Sequence, residues 1–182
     1  MKKLSTKKVY EGSWLSVVET VYRTRKDELI TWESIERKKC RSGVVVLAKL
    51  IPSRRFIIIK QFRAAINGYV LGLPAGLAED DPRHALVELK EETGYTGKII
   101  GISPALKTGS TITNESGRIV CIEVHENNPK NKNPQQELEP GEDITVFLVK
   151  RNEMVKFLLK EHKKGVQVSS SLWYLFGVNN WL

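Results

Sequence analysis

Three glutamates lie close together in the segment Glu88-Leu-Lys-Glu-Glu-Thr-Gly-Tyr95. In a helix, residues three and four positions apart share a face, so Glu88 and Glu92 would stack with Glu91 beside them. Like charges at this spacing destabilise a helix unless something compensates them. Carboxylates bind Mg²⁺ and Mn²⁺, and Mg²⁺ commonly links one or two of them to substrate phosphates. The segment indicates either a divalent-cation site or a solvated acidic helix face, and taken alone it leaves both interpretations open.

The residues around these glutamates predict a helix that follows a tight loop. Asp81 is a suitable N-cap, Pro82 is a suitable first helical residue, and Gly94 is a suitable C-terminal stop. A strand is predicted at Phe56–Arg63, and the non-helical segment Leu73–Leu77 lies between that strand and the helix. A strand, a loop and an acidic helix in this order can hold a cation against backbone carbonyls of the loop.

The rest of the chain predicts an α+β layout without an internal repeat. Periodicity and turn residues indicate an N-terminal hairpin, further core strands, and two helices near the C-terminus. The remaining predicted strands are Trp14–Arg23, Ile30–Glu36, Gly43–Ala48, Thr96–Ile102, Ile119–Val124 and Ile144–Val149. The predicted C-terminal helices are Glu153–Lys160 and Ser169–Val178, and the polar segment Asn127–Gly141 is expected to be a mobile loop.

The segment from Gly76 to Tyr95 resembles a Nudix box, whose pattern is G-x5-E-x7-R-E-U-x-E-E-x-G-U, with U a bulky apolar residue. Other segments resemble the ADP-ribose (ADP-sugar) pyrophosphatase branch of that family, in the same order. They are Thr31-Trp-Glu-Ser34, Lys60-Gln-Phe-Arg63, Gly68-Tyr69, Leu73-Pro-Ala-Gly-Leu77 and Ser103-Pro-Ala105. The resemblance covers roughly residues 10 to 180. It implies the Nudix fold, in which mixed β-sheets are sandwiched between α-helices (α/β/α), as a single domain over residues 1–182. Residues 1–42 would form a hairpin used for dimerisation, and residues 43–182 the catalytic core.

The box departs from the family pattern in its supporting residues. Glu88 follows Gly76 by twelve positions, whereas the family pattern has fifteen, so three residues are missing. Val87 replaces the arginine that orients the glutamates in the family, and Gly72 replaces a glutamate that usually precedes the loop. One hypothesis is that Arg83, one turn earlier on the helix, substitutes for the arginine. The early glutamate of the box has no counterpart in register, and the possible stand-ins are Glu79, Asp80 and Asp81.

The resemblance implies a metal centre built on the acidic helix. Glu88 and Glu92 would be the main ligands, Glu91 would share a second ion, and the backbone carbonyl of Ala75 would complete one coordination sphere. The expected cofactor is Mg²⁺ or Mn²⁺, which activates a water and neutralises a diphosphate. Glu142 stands where this branch keeps its loop glutamate and is the predicted base, with Glu139 and Glu115 as rivals.

The resemblance also assigns residues that recognise the substrate. Arg63, at the end of a strand, and Arg37 would bind phosphate, because the planar guanidinium suits bidentate contacts. Trp14 and Trp32 would clamp the adenine from different subunits of a swapped homodimer, and Glu33 would read the edge of the base. The implied reaction is hydrolysis of ADP-ribose or a related ADP-sugar to AMP and a sugar phosphate.

Two alternatives remain open on the sequence. The substrate can be another nucleoside diphosphate derivative, or the altered box can have lost catalysis and kept ADP-ribose binding as a regulatory module. Loss of affinity for adenine-containing substrates in Trp32→Ala would favour an ADP-sugar, and little change would favour the first alternative. Nucleotide binding without turnover would identify the second alternative.

Composition sets the outer limits. A content of 41% hydrophobic and 27% charged residues is ordinary for a soluble globular protein, and no apolar run has the length of a membrane span. The formal charge of +8 comes from scattered lysines and arginines without interleaved aromatic residues. Attraction of an anionic nucleotide therefore explains the charge better than nucleic-acid binding. The basic N-terminus lacks the apolar region of a secretory signal, and two cysteines, Cys40 and Cys121, do not make a disulfide scaffold. We expect a reducing, cytoplasmic environment, with Cys121 as a small core residue.

Overall fold

The computed structural model describes residues 1–38, 42–79 and 81–178. Cys40, Arg41 and Asp80 lie outside the described residues, and so do the predictions that involve them. Within the described part, no helix has the length and apolar character needed to cross a membrane.

Twelve strands and three α-helices are described. The strands are β1 (Lys2–Glu11), β2 (Leu15–Arg23), β3 (Leu29–Arg37), β4 (Ser42–Ile51), β5 (Arg55–Arg63), β6 (Gly68–Gly72), β7 (Ala75–Leu77), β8 (Lys98–Ile102), β9 (Leu106–Lys107), β10 (Ser116–His125), β11 (Ile144–Lys150) and β12 (Gln167–Val168). The helices are α1 (His84–Thr93), α2 (Met154–His162) and α3 (Ser170–Phe176). The predicted α+β class is confirmed, and the predicted strands and helices are present with boundaries shifted by a few residues.

The chain divides into two compact units. One consists of Met1–Gly43, Leu77–Asp81 and Ser103–Arg118, and the other of Val44–Gly76, Pro82–Ile102 and Ile119–Leu182. The prediction of one domain with a boundary near residue 42 stays a prediction. The first unit includes two later segments of the chain in addition to the N-terminal part.

The first unit contains a three-stranded antiparallel sheet in the order β1-β2-β3. The sequence predicted only the hairpin of β2 and β3 and missed β1, whose residues are all exposed and carry no strict alternation of apolar and polar side chains. The register of the hairpin is continuous from Leu15 opposite Arg37 to Arg23 opposite Leu29. In the later segments of this unit, β9 pairs with Ser116 and Gly117, and Ile35 bridges to Thr113.

The second unit is built on a sheet with the order β12-β6-β5-β4-β10-β8, in which β11 pairs with β5. On β4, Val44, Val46, Ala48 and Leu50 are buried in alternation, which is the pattern of a strand with one face in the core. On β5, three consecutive isoleucines, Ile57–Ile59, are buried, so both faces of this central strand are covered. Helices α2 and α3 bury Met154, Leu158, Leu172 and Phe176 in one core cluster with Ile58 and Leu71.

Helix α1 begins later than the sequence predicted. Its first residue is His84 and the residue before it, Arg83, makes no side-chain cap, so the predicted cap at Asp81 and start at Pro82 are wrong. Pro82 and Arg83 form a turn whose carbonyls accept hydrogen bonds from Ala85 and Leu86. The predicted end is confirmed, because Gly94 has φ 76° and donates its N–H to Lys90 O. A Cβ at position 94 would also overlap the backbone of Gln135, so glycine is required there for two reasons.

The polar segment after β10 is anchored to the second unit by hydrogen bonds. Asn131 is buried, accepts the N–H of Thr96 at 2.8 Å, and donates to the carbonyls of Thr96 and His125 at 2.9 and 3.0 Å. Further along, the N–H of Glu137 bonds to Glu91 O at 2.8 Å. These bonds hold the segment along the C-terminal half of α1, although composition alone suggested a mobile loop.

Candidate active site

Glu92 is the most deeply placed carboxylate of α1. It is 2% exposed and lies on the inner face of the helix with the buried residues Ala85 and Leu89. Its Oε2 accepts the backbone N–H of Ala75 at 3.0 Å, which joins the helix to the start of β7. Burial raises the pKa of Glu92 to about 8, and the charges of Glu88 and Glu142 act in the same direction. An ionised carboxylate at this position therefore needs a compensating cation.

Glu88 lies one turn before Glu92 and packs against Gly76. A Cβ at position 76 would overlap the Glu88 carboxylate, so the glycine makes room for this side chain. Glu88 Oε1 lies 3.1 Å from His84 Nε2, at the i, i+4 spacing of neighbours on a helix face. Burial and the nearby charge of Glu91 raise the pKa of Glu88, and His84 opposes this effect.

The structure shows His84, one turn before Glu88, beside that carboxylate. The hypothesis that Arg83 takes the place of the family arginine stays a prediction. Val87, which stands at the position of that arginine, is 43% exposed.

Of the three candidate bases, Glu139 and Glu142 share the unit of the acidic helix, and Glu142 acts on that helix electrostatically. Its charge raises the pKa of both Glu88 and Glu92. Its Oε2 accepts the N–H of Glu139 at 2.9 Å. The neighbouring Asp143 is held by the hydroxyl of Tyr69 and, through its carbonyl, by the N–H of Phe62 at 3.1 Å. These bonds tie the Glu142 loop to the end of β5, and Glu139 is exposed.

Arg63 ends β5, as the sequence predicted, and its positive charge lowers the pKa of Glu92. It lines a cavity of about 170 Å³ that also includes Gln61, Gly72, Ala75, Ser169 and Ser171. Gln61 is 8% exposed, and no described residue contacts its buried Oε1 with a hydrogen-bond donor. Polar groups thus line a space beside both Arg63 and Ala75.

Arg37 and Glu115 are paired with each other in the first unit. Arg37 Nε lies 2.6 Å from Glu115 Oε1, and both side chains are partly exposed. This contact gives Glu115, a rival for the base, a structural partner. It also means that Arg37 would have to share its guanidinium between Glu115 and a phosphate.

The two tryptophans of the N-terminal sheet are exposed. Trp14 is 71% and Trp32 is 53% exposed, and Glu33, next to Trp32, is exposed as well. The indole N–H of Trp32 donates to Thr111 O at 3.4 Å. Exposed tryptophans offer large aromatic faces that a ligand or a second protein chain can contact.

Sequence reasoning missed several residues that support the acidic helix. His84 was detectable, because it lies four positions before Glu88 on the same helix. Gln136, whose Nε2 donates to Glu92 O at 2.6 Å, and the cavity residue Gln61 carry no signal in the sequence. Their contacts arise only when distant segments meet.

The described residues fit a hard divalent cation through oxygen ligands shared with a substrate. No group of three or more acidic, histidine or cysteine side chains converges into a preformed cage in the described part of the chain. Mg²⁺ does not need such a cage, because it commonly uses one or two carboxylates, waters and substrate phosphates. Glu88 and Glu92, with the loop of Ala75, supply that kind of donor set. The assignment of these residues as metal ligands stays a prediction.

Substitution Gly76→Ala tests whether the position of Glu88 matters for a cation. The added Cβ would displace the Glu88 carboxylate, which is the flexible end of a side chain, so we expect an unchanged melting temperature. The affinity for Mn²⁺, measured by electron paramagnetic resonance, should fall by about 10–100-fold. Gly101→Ala is the matched control, because its Cβ would make only an ordinary contact at 3.8 Å with Cys121. Equal Mn²⁺ affinity in both variants would contradict the assignment.

Comparison with known proteins finds relatives over most of the chain. No protein-family model matches the chain. An ADP-ribose pyrophosphatase of Saccharomyces cerevisiae is 30% identical over 175 residues, covering 90% of this chain and 76% of the relative. An ADP-sugar pyrophosphatase of Mus musculus is 29% identical and covers 81% of this chain and 72% of the relative. A putative Nudix hydrolase of Caenorhabditis elegans is 29% identical, and the match covers 93% of this chain and 82% of the relative.

A solved structure shares the fold. The crystal structure of an ADP compounds hydrolase superposes with a TM-score of 0.67 and covers 87% of this chain and 84% of its own, at 17% identity. This likeness confirms the predicted Nudix fold. Together with the identity to the yeast relative, it shows that the chain is a hydrolase that belongs to the Nudix family, in the branch of ADP-ribose and ADP-sugar pyrophosphatases.

Proposed function

We propose that this enzyme hydrolyses the diphosphate bond of ADP-ribose, or of a related ADP-sugar, to AMP and a sugar phosphate. The observation that carries the proposal is the buried Glu92 carboxylate, held by Ala75 N–H within the electrostatic reach of Arg63. The names of the yeast and mouse relatives support the substrate class. We further propose a cytoplasmic enzyme that uses Mg²⁺ or Mn²⁺.

The proposed chemistry is attack of water on a phosphorus atom of the diphosphate. When bound, Mg²⁺ or Mn²⁺ acts as a Lewis acid that activates the water and neutralises charge on the phosphates. Glu88, Glu92 and the carbonyl of Ala75 would hold the ion, with Glu91 beside them. Arg63 would bind phosphate oxygens through its guanidinium fork. Catalysis of this type depends mainly on such positioning and on charge stabilisation.

Glu142 is the proposed base. It would take the proton of the attacking water while the bond between phosphorus and the bridging oxygen breaks, which leaves AMP and the sugar phosphate. Its charge acts on both Glu88 and Glu92, which supports a position near the reacting atoms. Glu115 is paired with Arg37, and Glu139 is exposed, so neither has comparable support.

Turnover of ADP-ribose tests this function. We expect Mg²⁺-dependent release of AMP and sugar phosphate by the wild type. In Glu92→Gln, turnover should fall by about a hundredfold or more, because a neutral amide is a poor ligand for the cation. Glu139→Gln is the matched control and should keep most of the activity.

Two other outcomes would contradict the proposal. Tight binding of ADP-ribose without turnover in the wild type, across a series of Mg²⁺ and Mn²⁺ concentrations, would identify a regulatory module. Faster turnover of a nucleoside diphosphate derivative without adenine would identify a different substrate class.

The tryptophans support adenine recognition by two subunits. Trp32 lies opposite Thr20 in the β2–β3 ladder, and the carbonyl of Trp14 accepts the N–H of Lys38 beyond the last pair of that ladder. Thr20 and Trp14 are six positions apart, which corresponds to about 20 Å along the strands. Aromatic rings stack with centroids about 4.5–7 Å apart, and the backbone positions of these two tryptophans in one chain are separated by far more than that. A clamp made of both therefore needs a second copy of the chain, and we propose a homodimer in which each adenine contacts Trp32 of one subunit and Trp14 of the other.

Mixing the two tryptophan variants tests the shared clamp. Trp14→Ala and Trp32→Ala should each raise the KM for ADP-ribose, because each removes one stacking partner from every site. In a heterodimer formed by unfolding and refolding a mixture, one site is intact and the other lacks both tryptophans. We expect the mixture to recover up to about a quarter of the wild-type activity at low substrate, since half of the dimers are mixed and each has one intact site. The same treatment of each variant alone is the control, and activity that stays at the level of the separate variants would contradict a clamp shared between subunits.

A further inference from the structure

A second charged cleft lies in the unit that contains the acidic helix. It has a volume of about 450 Å³ and is lined by four cationic side chains together with Ser53, Phe56 and Asn152. The cations are Lys49, Arg54, Lys150 and Arg151. They are separated by up to about a hundred positions in the sequence and meet because β5 pairs with β11 and with the end of β4, which places Arg55 opposite Lys150 and Phe56 opposite Lys49.

This cleft lies at the opposite end of β5 from the candidate phosphate ligand of the active site. It lies at the Arg55 end of the strand, whereas Arg63 lies at the other end. The two ends are eight positions apart along the strand, which corresponds to about 26 Å. A ligand in the cleft would therefore occupy a site separate from that of the proposed substrate.

The four cations have no ion-pair partner among the described residues. Two carboxylates need to be considered near these cations. Glu126 is already engaged by Arg55 Nη2 at 2.6 Å and by the N–H of Ser53 at 2.8 Å. Glu153 directly follows the lining residue Asn152 in the chain. Four like charges around one concave surface repel each other, and an anion placed among them relieves this repulsion.

The fold restricts the backbone of Arg54 and the side chain of Arg151. Arg54 has φ 60°, a left-handed conformation that costs energy for a long side chain, and its N–H bonds to Leu50 O at 2.9 Å. Arg151 lies over the ring of Phe176 at 5.6 Å, a cation–π contact, and Phe176 packs edge-on against Phe56 of the cleft at 4.9 Å. Positions restricted in this way reduce the entropy lost when a ligand binds.

We propose that this cleft binds a chain of two or more phosphate groups. Its volume lies in the range of about 300–1,000 Å³ that is usual for small-molecule sites and exceeds the needs of a single phosphate. Arginines and lysines provide charge-assisted hydrogen bonds to phosphate oxygens, and Ser53 and Asn152 add neutral donors. The inference does not rest on the proposed hydrolysis, because none of its residues belongs to the candidate active site.

Calorimetry with inorganic tripolyphosphate tests the cleft. The titration uses the whole chain of 182 residues at low salt. A chelator is present, so that cation-dependent binding at the acidic helix is excluded. We expect saturable binding that weakens at high salt. In Lys49→Gln/Lys150→Gln the affinity should fall by about tenfold or more, because two charge-assisted contacts are lost.

Two control variants test whether the phosphate chain binds in the cleft or elsewhere on the protein. Lys156→Gln/Lys160→Gln removes two exposed charges from α2, outside the cleft, and should leave the affinity within about twofold. Arg63→Gln removes the cation at the other end of β5 and should also leave it unchanged. Equal melting temperatures would show that the variants fold.

The outcomes decide the proposal. No binding by the wild type, equal loss in the Lys156/Lys160 pair, or loss only in Arg63→Gln would each overturn it. ATP in place of tripolyphosphate distinguishes the source of the ligand. Tighter binding of ATP indicates a nucleotide that also contacts Phe56, and equal binding indicates recognition of the phosphate chain alone.

Discussion

The contact between the Glu92 carboxylate and the N–H of Ala75 is the interaction on which the candidate site depends. It ties the inner face of α1 to the first residue of β7, and it keeps the carboxylate in a buried position. Burial and two neighbouring glutamates disfavour the ionised form, and the backbone N–H and the charge of Arg63 favour it only in part. The arrangement is consistent with a site whose remaining positive charge comes from a divalent cation and whose ligand is a phosphate.

The altered box keeps this interaction and changes what surrounds it. The arginine of the family pattern is replaced by Val87, which is exposed, and α1 begins at His84. His84 contacts Glu88, and Gly76 gives that carboxylate its space. Gln136 adds a hydrogen bond to the carbonyl of Glu92 from a segment that follows β10. The site is thus supported by His84 on the same helix, by the close approach of the Gly76 backbone, and by Gln136 from a later segment.

Much of this organisation could be predicted from the sequence, because the strongest signals are local. The spacing of Glu88, Glu91 and Glu92, the stop at Gly94 and the isoleucine run of β5 each act over a few residues, and the corresponding elements are present. Local signals failed where the determining contacts are distant. Strand β1 lacks a buried face, and the segment around Asn131 looks mobile by composition although buried hydrogen bonds anchor it. The cationic cleft could not be predicted from the sequence for the same reason, since Lys49 and Lys150 come together only through the pairing of strands.

Crystals soaked with Mn²⁺ and measured at its absorption edge would test the central claim most directly. We expect an anomalous difference peak within coordination distance of the Glu92 carboxylate and the carbonyl of Ala75, with Glu88 as a further ligand. The same peak should be absent from crystals of Glu92→Gln. An ordered site without such a peak in the wild type, or a peak that persists in Glu92→Gln, would show that the acidic helix is not the metal centre.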